Sequence, residues 1–454
     1  MKLVHSIRMM TTLNKSHHNV AIVGGGISGA SAVHKLLSLA PNHLQIHLFD
    51  QGRRGVGGRS SHRKDEHNRR WDHGCQFFRA DTENFQPVVK DWIEQGLVQE
   101  WKGEFQSFHC DDVKDHFFGL PHKPPFYVGV DGMQSISQGI LNLAQINHGD
   151  LLKVHNGTRV SHMERDETSK RWFLYGTTGN AAFHDTPEEE VKASTTDRVS
   201  LGIEEGFDAV ILTDVSSSFG GWHRASAGVP ETFAKKVRDR VGARIPLFTA
   251  MIAFKSKSKI AFDAATFGNN NVLWFASKSN SKPGMSEMEE ECWTLVSTPE
   301  YAIKKIQESP MQDPKTGSFI PQTGEYLQTV PGPELRDAFL DIINETLPEI
   351  TYVNAQRWGS AMPSYRHLDP DASDIQVISD VPYDSCKATF IPNESENSHS
   401  WNFTSFIADE DLMLFQAGDM MSVHTPGFEG AALSGMNAAE HVMKVLSRHQ
   451  GSSP

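Results

Sequence analysis

Val20-Ala21-Ile22-Val23-Gly24-Gly25-Gly26-Ile27-Ser28-Gly29-Ala30 is the stretch that decides the fold of this 454-residue chain. The apolar run 20–23 suits a parallel strand covered on both faces. Gly24, Gly26 and Gly29 then spell G-x-G-x-x-G. The first glycine permits a tight turn, the second lets backbone approach a pyrophosphate, and the third lets a helix pack close to the strand. Ala30, Ala32, Val33, Leu36 and Leu37 recur at helical spacing and predict an amphipathic helix. Its first-turn N–H groups and dipole face the diphosphate. Gly24, Gly26, Ile27, Ser28 and Gly29 are therefore candidate contacts to a dinucleotide. Residues 44–50 read as a second strand ending in Asp50, about 20 residues past Gly29, where a ribose-binding carboxylate is expected. Asp50 and the adjoining Gln51 join the candidates.

Residues 51–59, Gln-Gly-Arg-Arg-Gly-Val-Gly-Gly-Arg, are glycine-rich and basic. Such a segment lays backbone N–H groups and a guanidinium along a second phosphate. A nicotinamide domain seldom needs that. The segment resembles the FAD-binding fold shared by amine oxidases and their relatives, where Gly-Gly-Arg follows the ribose acid. The resemblance implies cofactor contacts for Gly57, Gly58 and Arg59, whereas Arg53 and Arg54 read as a solvated loop.

Length predicts two or three domains' worth of chain. With 38% hydrophobic and 22% charged residues the composition is that of a globular protein, and the net charge of −13 argues against a nucleic-acid partner. No apolar run reaches the about 18 residues of a membrane span. Cys75, Cys110, Cys292 and Cys386 form no CxxC, which suits free thiols in a reducing compartment and no metal site. Residues 1–18 carry Lys2, Arg8 and Lys15 and no acid. They read either as a disordered leader of a cytoplasmic protein or as an organellar transit peptide.

Asp72-His73-Gly74-Cys75-Gln76-Phe77 is similar to a segment of renalase-like flavoproteins, Asp-His-Gly-Ala-Gln-aromatic, that passes beside the flavin; Cys75 replaces the usual alanine. Gly132-Met133 and Arg357-Trp358 match further segments of that family. The strand at 412–419 ends in Gly418-Asp419, and Gly430 and Ala431 lie at the start of the following helix. The resemblance places Asp419 at the ribityl–phosphate region and aims that helix at the N1–C2 edge of the flavin, where a helix N-terminus stabilises the anion of the reduced ring. Several residues carry two readings each. His73 is a general base or a hydrogen-bonded structural histidine, and Cys75 is a reactive thiol or a small buried one. Val160 is an adenine contact or plain core.

The expected architecture is α/β: a discontinuous Rossmann-type FAD-binding domain (19–80, 128–222, 405–449) and a second α+β substrate domain on an antiparallel sheet (81–127, 223–404). Helices are predicted over 81–101, 132–146, 301–307 and 335–347, with a last helix running to about 445. Residues 161–165 and 171–175 suggest a hairpin, 184–206 an acidic surface insertion and 393–398 a polar loop. The resemblance implies an FAD-dependent oxidoreductase that accepts a hydride at flavin N5 from a small organic donor, such as a dihydronicotinamide isomer, and is reoxidised by oxygen or another acceptor. His73, Gln76 and Trp358 are catalytic candidates, with Trp274, Trp358 and Phe77 as pocket walls. The alternative is an amine oxidase, which needs an aromatic cage and a lysine holding water near N5. Lys282 is the nominee, its other reading being a solvated turn lysine beside Pro283-Gly284, and His424-Thr425-Pro426 stands where an aromatic is wanted. A third possibility is a flavin-binding redox sensor without catalysis.

Overall fold

The computed structural model describes residues 18–40, 43–52, 54–108, 125–179, 198–218, 228–241, 244–310, 320, 322–363, 405–422 and 427–451. Residues 1–17, Arg53, Cys110, most of the acidic insertion, Cys386, the 393–398 loop and residues 424–426 lie outside them.

The first sheet has the spatial order Ile407–Asp409, Leu414–Gln416, Ala209–Leu212, His18–Val23, Leu44–Asp50, Leu152–Asn156. Every neighbouring pair is parallel except the first, which is antiparallel. Val20, Ala21 and Ile22 are fully buried, as the unbroken apolar run requires when both faces are covered. Helices Ile27–Leu39, Gln134–His148 and Phe428–Gly451 pack together over this sheet. A small antiparallel sheet of Thr158–Arg165, Trp172–Thr178 and Val199–Leu201 contains the expected hairpin, with part of the acidic insertion supplying its third strand.

The second large sheet runs Ile350–Pro363, Arg244–Phe254, Glu291–Ser297, Leu273–Lys278, Ala264–Phe267, Phe105–Phe108. It is antiparallel except at its last pair. Helices Pro299–Glu308 and Pro331–Ile343 cover one face and bury Tyr301, Leu335 and Phe339 with Phe248, Ile252 and Trp293. Thr298 caps the first of these by accepting from the Tyr301 N–H, and Pro299 follows at the position where a missing N–H costs nothing.

Some expectations need correction. The helix expected over 81–101 is only Gln86–Glu94; the chain turns at Gly96 and continues as strand Val98–Glu100 beside Tyr127–Gly129. Ile93, expected on its apolar face, is exposed. The helix expected at 335–347 starts earlier, at Pro331, and ends at Asn344 in left-handed conformation. The last helix runs on to Gly451. Within 81–127, Phe105–Phe108 joins the second sheet, whereas Val89 and Trp92 pack in the same core as Val20 and Ile22.

Candidate cofactor and active site

The glycine turn is built from backbone demands. Gly24 has φ +109°, and its N–H donates to the Phe49 carbonyl at 2.8 Å. A Cβ on Gly29 would collide with the Gly24 carbonyl oxygen, so the third glycine is required by packing. Gly26 is different. Its backbone is extended, and a Cβ there would meet only Gly57 and Gly58 atoms at 3.7 Å or more. The protein itself does not exclude a Cβ at Gly26, so the space left there fits an approaching cofactor. The Ser28 hydroxyl, buried in the first turn of the helix, has no partner within the protein. Among the described residues this turn therefore offers an open space, an orphaned hydroxyl and a helix N-terminus together, which suits a diphosphate.

Asp50 accepts the Gly25 N–H on one oxygen and the Gly52 N–H on the other, both at 2.7 Å. Burial raises its pKa, and these two N–H bonds oppose the rise. Gln51 beside it is exposed. The second glycine loop leans on the first: the Gly57 N–H donates to the Gly25 carbonyl at 3.0 Å. Gln134 clamps this loop, its amide donating to the carbonyls of Val56 (2.7 Å) and Arg54 (3.1 Å) while its oxygen accepts the His62 N–H. Sequence reasoning missed Gly25 and Gln134. A glutamine opening a helix carries no periodic signal of what it reaches.

From the other end of the chain, Gly418 at φ +127° presents Asp419, which is buried. Arg59 binds Asp419 through both guanidinium nitrogens, Nη1 at 2.7 Å, and also donates to the Ala361 carbonyl at 3.1 Å. The sequence resemblance gave Arg59 and Asp419 a contact to the cofactor each; here they are also joined directly. The start of helix Phe428–Gly451 is anchored by Glu429, which accepts the N–H groups of Asp81 and Thr82 and the Thr82 hydroxyl. Gly430 and Ala431 follow it, buried. Val160, half-buried on strand Thr158–Arg165, packs against the core that holds Ala21 and Phe49.

The segment resembling renalase crosses beside Arg59, whose carbonyl accepts the Cys75 N–H at 2.8 Å. The His73 and Trp358 rings stack, with centroids 5.3 Å apart and planes 15° off parallel. The His73 carbonyl accepts from Trp358 Nε1 at 2.7 Å and from the Thr249 hydroxyl at 2.8 Å. Phe77 instead joins an aromatic cluster with Phe126, Phe275 and Trp101, so the expected pocket walls fall into two groups.

One reading needs correction. Lys282 is not a solvated turn lysine: it is 1% exposed and its ammonium meets Asp72 Oδ2 at 2.9 Å, the Gln76 carbonyl at 2.8 Å and Gln76 Oε1 at 3.4 Å. Three acceptors meet its three protons, which leaves none to hold a water at a flavin. Gln76 is itself fixed by donating to the Asp72 and Gly74 carbonyls and accepting from the Ser277 hydroxyl. Cys75 fits the reading of a small buried thiol: burial, with Asp72 beside it, pushes its pKa up to about 12. Burial first and then Arg63, His62 and Arg54 lower the His73 pKa to about 3.

The His73 shift has a consequence for stability. Its folded pKa lies below the ordinary 6.5, so between those values the unfolded chain binds a proton that the folded chain refuses. Stability therefore falls as pH drops from 6.5 towards 3, by at most about 1.4 kcal/mol per pH unit from this residue. His73→Gln is expected to flatten that part of the curve, measured as urea midpoints of both proteins between about pH 7 and pH 5.

Residues 22–93 match the family described as NAD(P)-binding Rossmann-like domain. Over nearly their whole lengths, solved structures share the fold at low identity. Reduced UDP-galactopyranose mutase is 12% identical, with 94% of this chain and 96% of that chain covered and a TM-score of 0.56. Cyclohexylamine oxidase from Brevibacterium oxydans IH-35A is 12% identical, with 95% and 100% covered and a TM-score of 0.53. A redesigned double variant of putrescine oxidase is 12% identical, with 94% and 99% covered and a TM-score of 0.51. The chain thus shares its overall fold with this mutase and these two oxidases. Among the described residues no helix is long and apolar enough to cross a membrane, and no cluster of His, Cys, Asp and Glu is arranged to hold a metal.

Proposed function

We propose that this chain is an FAD-dependent oxidoreductase whose donor is a small organic molecule, a dihydronicotinamide isomer. The observation that carries the cofactor assignment is the convergence at one place of the Gly26 space, the Ser28 hydroxyl and the Arg59–Asp419 pair, from opposite ends of the chain. The N–H groups opening helix Ile27–Leu39 and the Ser28 hydroxyl would hold the diphosphate, and Asp50 retains lone pairs for a ribose. When bound, FAD supplies an N5 atom that takes up a hydride and passes the electrons on to oxygen or another acceptor.

The chain's own part is to orient the donor and keep the site fixed. Trp358 and His73 form a stacked wall on which an aromatic donor ring lies flat. His73 stays neutral and draws no proton from the donor. A dihydronicotinamide suits such a site, because its ring gives up a hydride without prior deprotonation. Two of the proteins that share the fold are oxidases named for amines, cyclohexylamine and putrescine. An amine oxidase with a lysine-held water would need Lys282 free, and its protons are committed to Asp72 and Gln76.

The test is anaerobic mixing of the purified, FAD-loaded protein with dihydronicotinamide isomers and, separately, with cyclohexylamine and putrescine. Rapid bleaching of the oxidised-flavin band by a dihydronicotinamide isomer is the expected result. Bleaching by the amines alone would overturn the donor assignment. A flavin reduced by neither would favour the non-catalytic sensor.

A further inference from the structure

A cleft of about 420 Å³ opens to solvent where three segments meet, a volume suited to a small ligand. Arg54 comes from the second glycine loop, Arg63 and Lys64 from strand His62–Lys64, and Tyr352 and Asn354 from strand Ile350–Pro363. None of its lining residues belongs to the Gly24–Gly29 turn, Asp50 or the Arg59–Asp419 pair.

Its charge runs against that of the chain. Arg69, at one side, is neutralised by Asp65 at 2.6 Å and Glu290 at 3.1 Å, and its guanidinium lies over the Tyr352 ring at 4.7 Å. Among the described residues no carboxylate pairs with Arg54, Arg63 or Lys64, and the buried Arg63 Nε has no acceptor within the protein. The remaining acid at the cleft, Glu66, is exposed and lies 3.6 Å from His67. Three cations thus surround one concavity on a protein of net charge −13. Such an arrangement favours an anion with several oxygens, which guanidinium forks bind most strongly.

The cleft also leads to the proposed reaction site. Tyr352, Asn354, Gln356 and Trp358 alternate along one strand and share a face, and their pairing with residues 247–253 is unbroken. Asn354 and Trp358 are therefore about 13 Å apart along the strand. A nucleotide-sized ligand and the long Arg63 side chain together cover that distance. Tyr352 is held rigid by stacking on Trp71, centroids 4.7 Å apart. Arg63 and Arg54 are also among the groups that disfavour a charge on His73, so their field reaches the Trp358–His73 wall.

We propose that this cleft is a subsite for the phosphate of a phosphorylated donor whose ring lies on Trp358. The phosphorylated donor rests on the function proposed above; the anion site itself does not. Two measurements on the FAD-loaded protein separate them. The first compares flavin reduction by a dihydronicotinamide mononucleotide isomer and by the matching riboside, which lacks the phosphate. The mononucleotide is expected to show an apparent Kd about tenfold lower, and Arg63→Gln/Lys64→Gln to bring that ratio to about one. The second is calorimetric titration with inorganic phosphate, expected to weaken about tenfold in the same variant. Arg54→Gln, on an exposed loop, repeats both measurements without risk to folding. If dihydronicotinamides fail to reduce the flavin but phosphate binding still falls in the variants, the donor assignment is wrong and the anion site stands. A phosphate affinity and a mononucleotide-to-riboside ratio unchanged in both variants would overturn the subsite, as would a wild type with neither.

Discussion

Lys282→Met is expected to destabilise the protein by about 3–5 kcal/mol, the usual consequence of stranding one member of a buried ion pair. Asp72 is completely buried, and once the ammonium is gone its charge keeps, among the described residues, only the hydrogen bond from the Met133 N–H at 2.8 Å. The Gln76 carbonyl loses its donor in the same step. Adding Asp72→Asn removes the stranded charge and should recover a large part of the loss, a coupling that a double-mutant cycle in urea reads directly. A lysine that worked by holding water at a flavin would behave in the opposite way: its replacement would slow reduction while leaving the urea midpoint in place. The pair joins Asp72, beside the glycine loops, to the Ser279–Ser281 turn that follows a strand of the second sheet. Its loss should therefore loosen the packing of strand Arg70–Asp72 against the second sheet.

Gly26→Val is expected to cost only about the 1 kcal/mol of a poorer N-cap residue and to strip the protein of flavin. The position is extended backbone that any residue adopts, and a Cβ meets nothing closer than 3.7 Å. What the side chain would fill is the approach to the first helical turn. Blocking two charge-assisted backbone N–H contacts to a phosphate corresponds to at least about 3 kcal/mol, a factor of more than about 100 in FAD affinity. Gly29→Ala is the contrasting control. Its Cβ collides with the Gly24 carbonyl, so it should lower the urea midpoint as well as the flavin content. Equal losses of stability in both variants would mean that Gly26 serves only the packing of the turn.

Where a residue type answers a local backbone demand, the sequence was legible. The first glycine turn and the strand ending in Asp50 sit where spacing put them, and the second glycine loop and the Gly418-Asp419 turn where the family resemblance put them, because each is dictated by its immediate neighbours in the chain. The apolar runs 248–254, 272–276 and 292–297 likewise suggest a mainly antiparallel sheet, and all three lie in it. Long-range partners were not legible. Lys282 beside Pro283-Gly284 looks like a surface turn, and only the fold brings Asp72, 210 positions away, onto its ammonium. The Trp358–His73 stack spans 285 positions, and the Arg59–Asp419 pair 360. His73 could be read as a base because its type permits it. Its burial beneath Trp358 and its cationic neighbours, which settle its charge, are properties of the packed structure.

The visible absorption spectrum of the purified protein, before and after equilibration with FAD and removal of the excess, tests the central claim most directly. An oxidised-flavin spectrum at one FAD per chain, lost in Gly26→Val while the protein stays folded, is the predicted result. A folded wild-type protein that carries no flavin and takes none up would contradict the account.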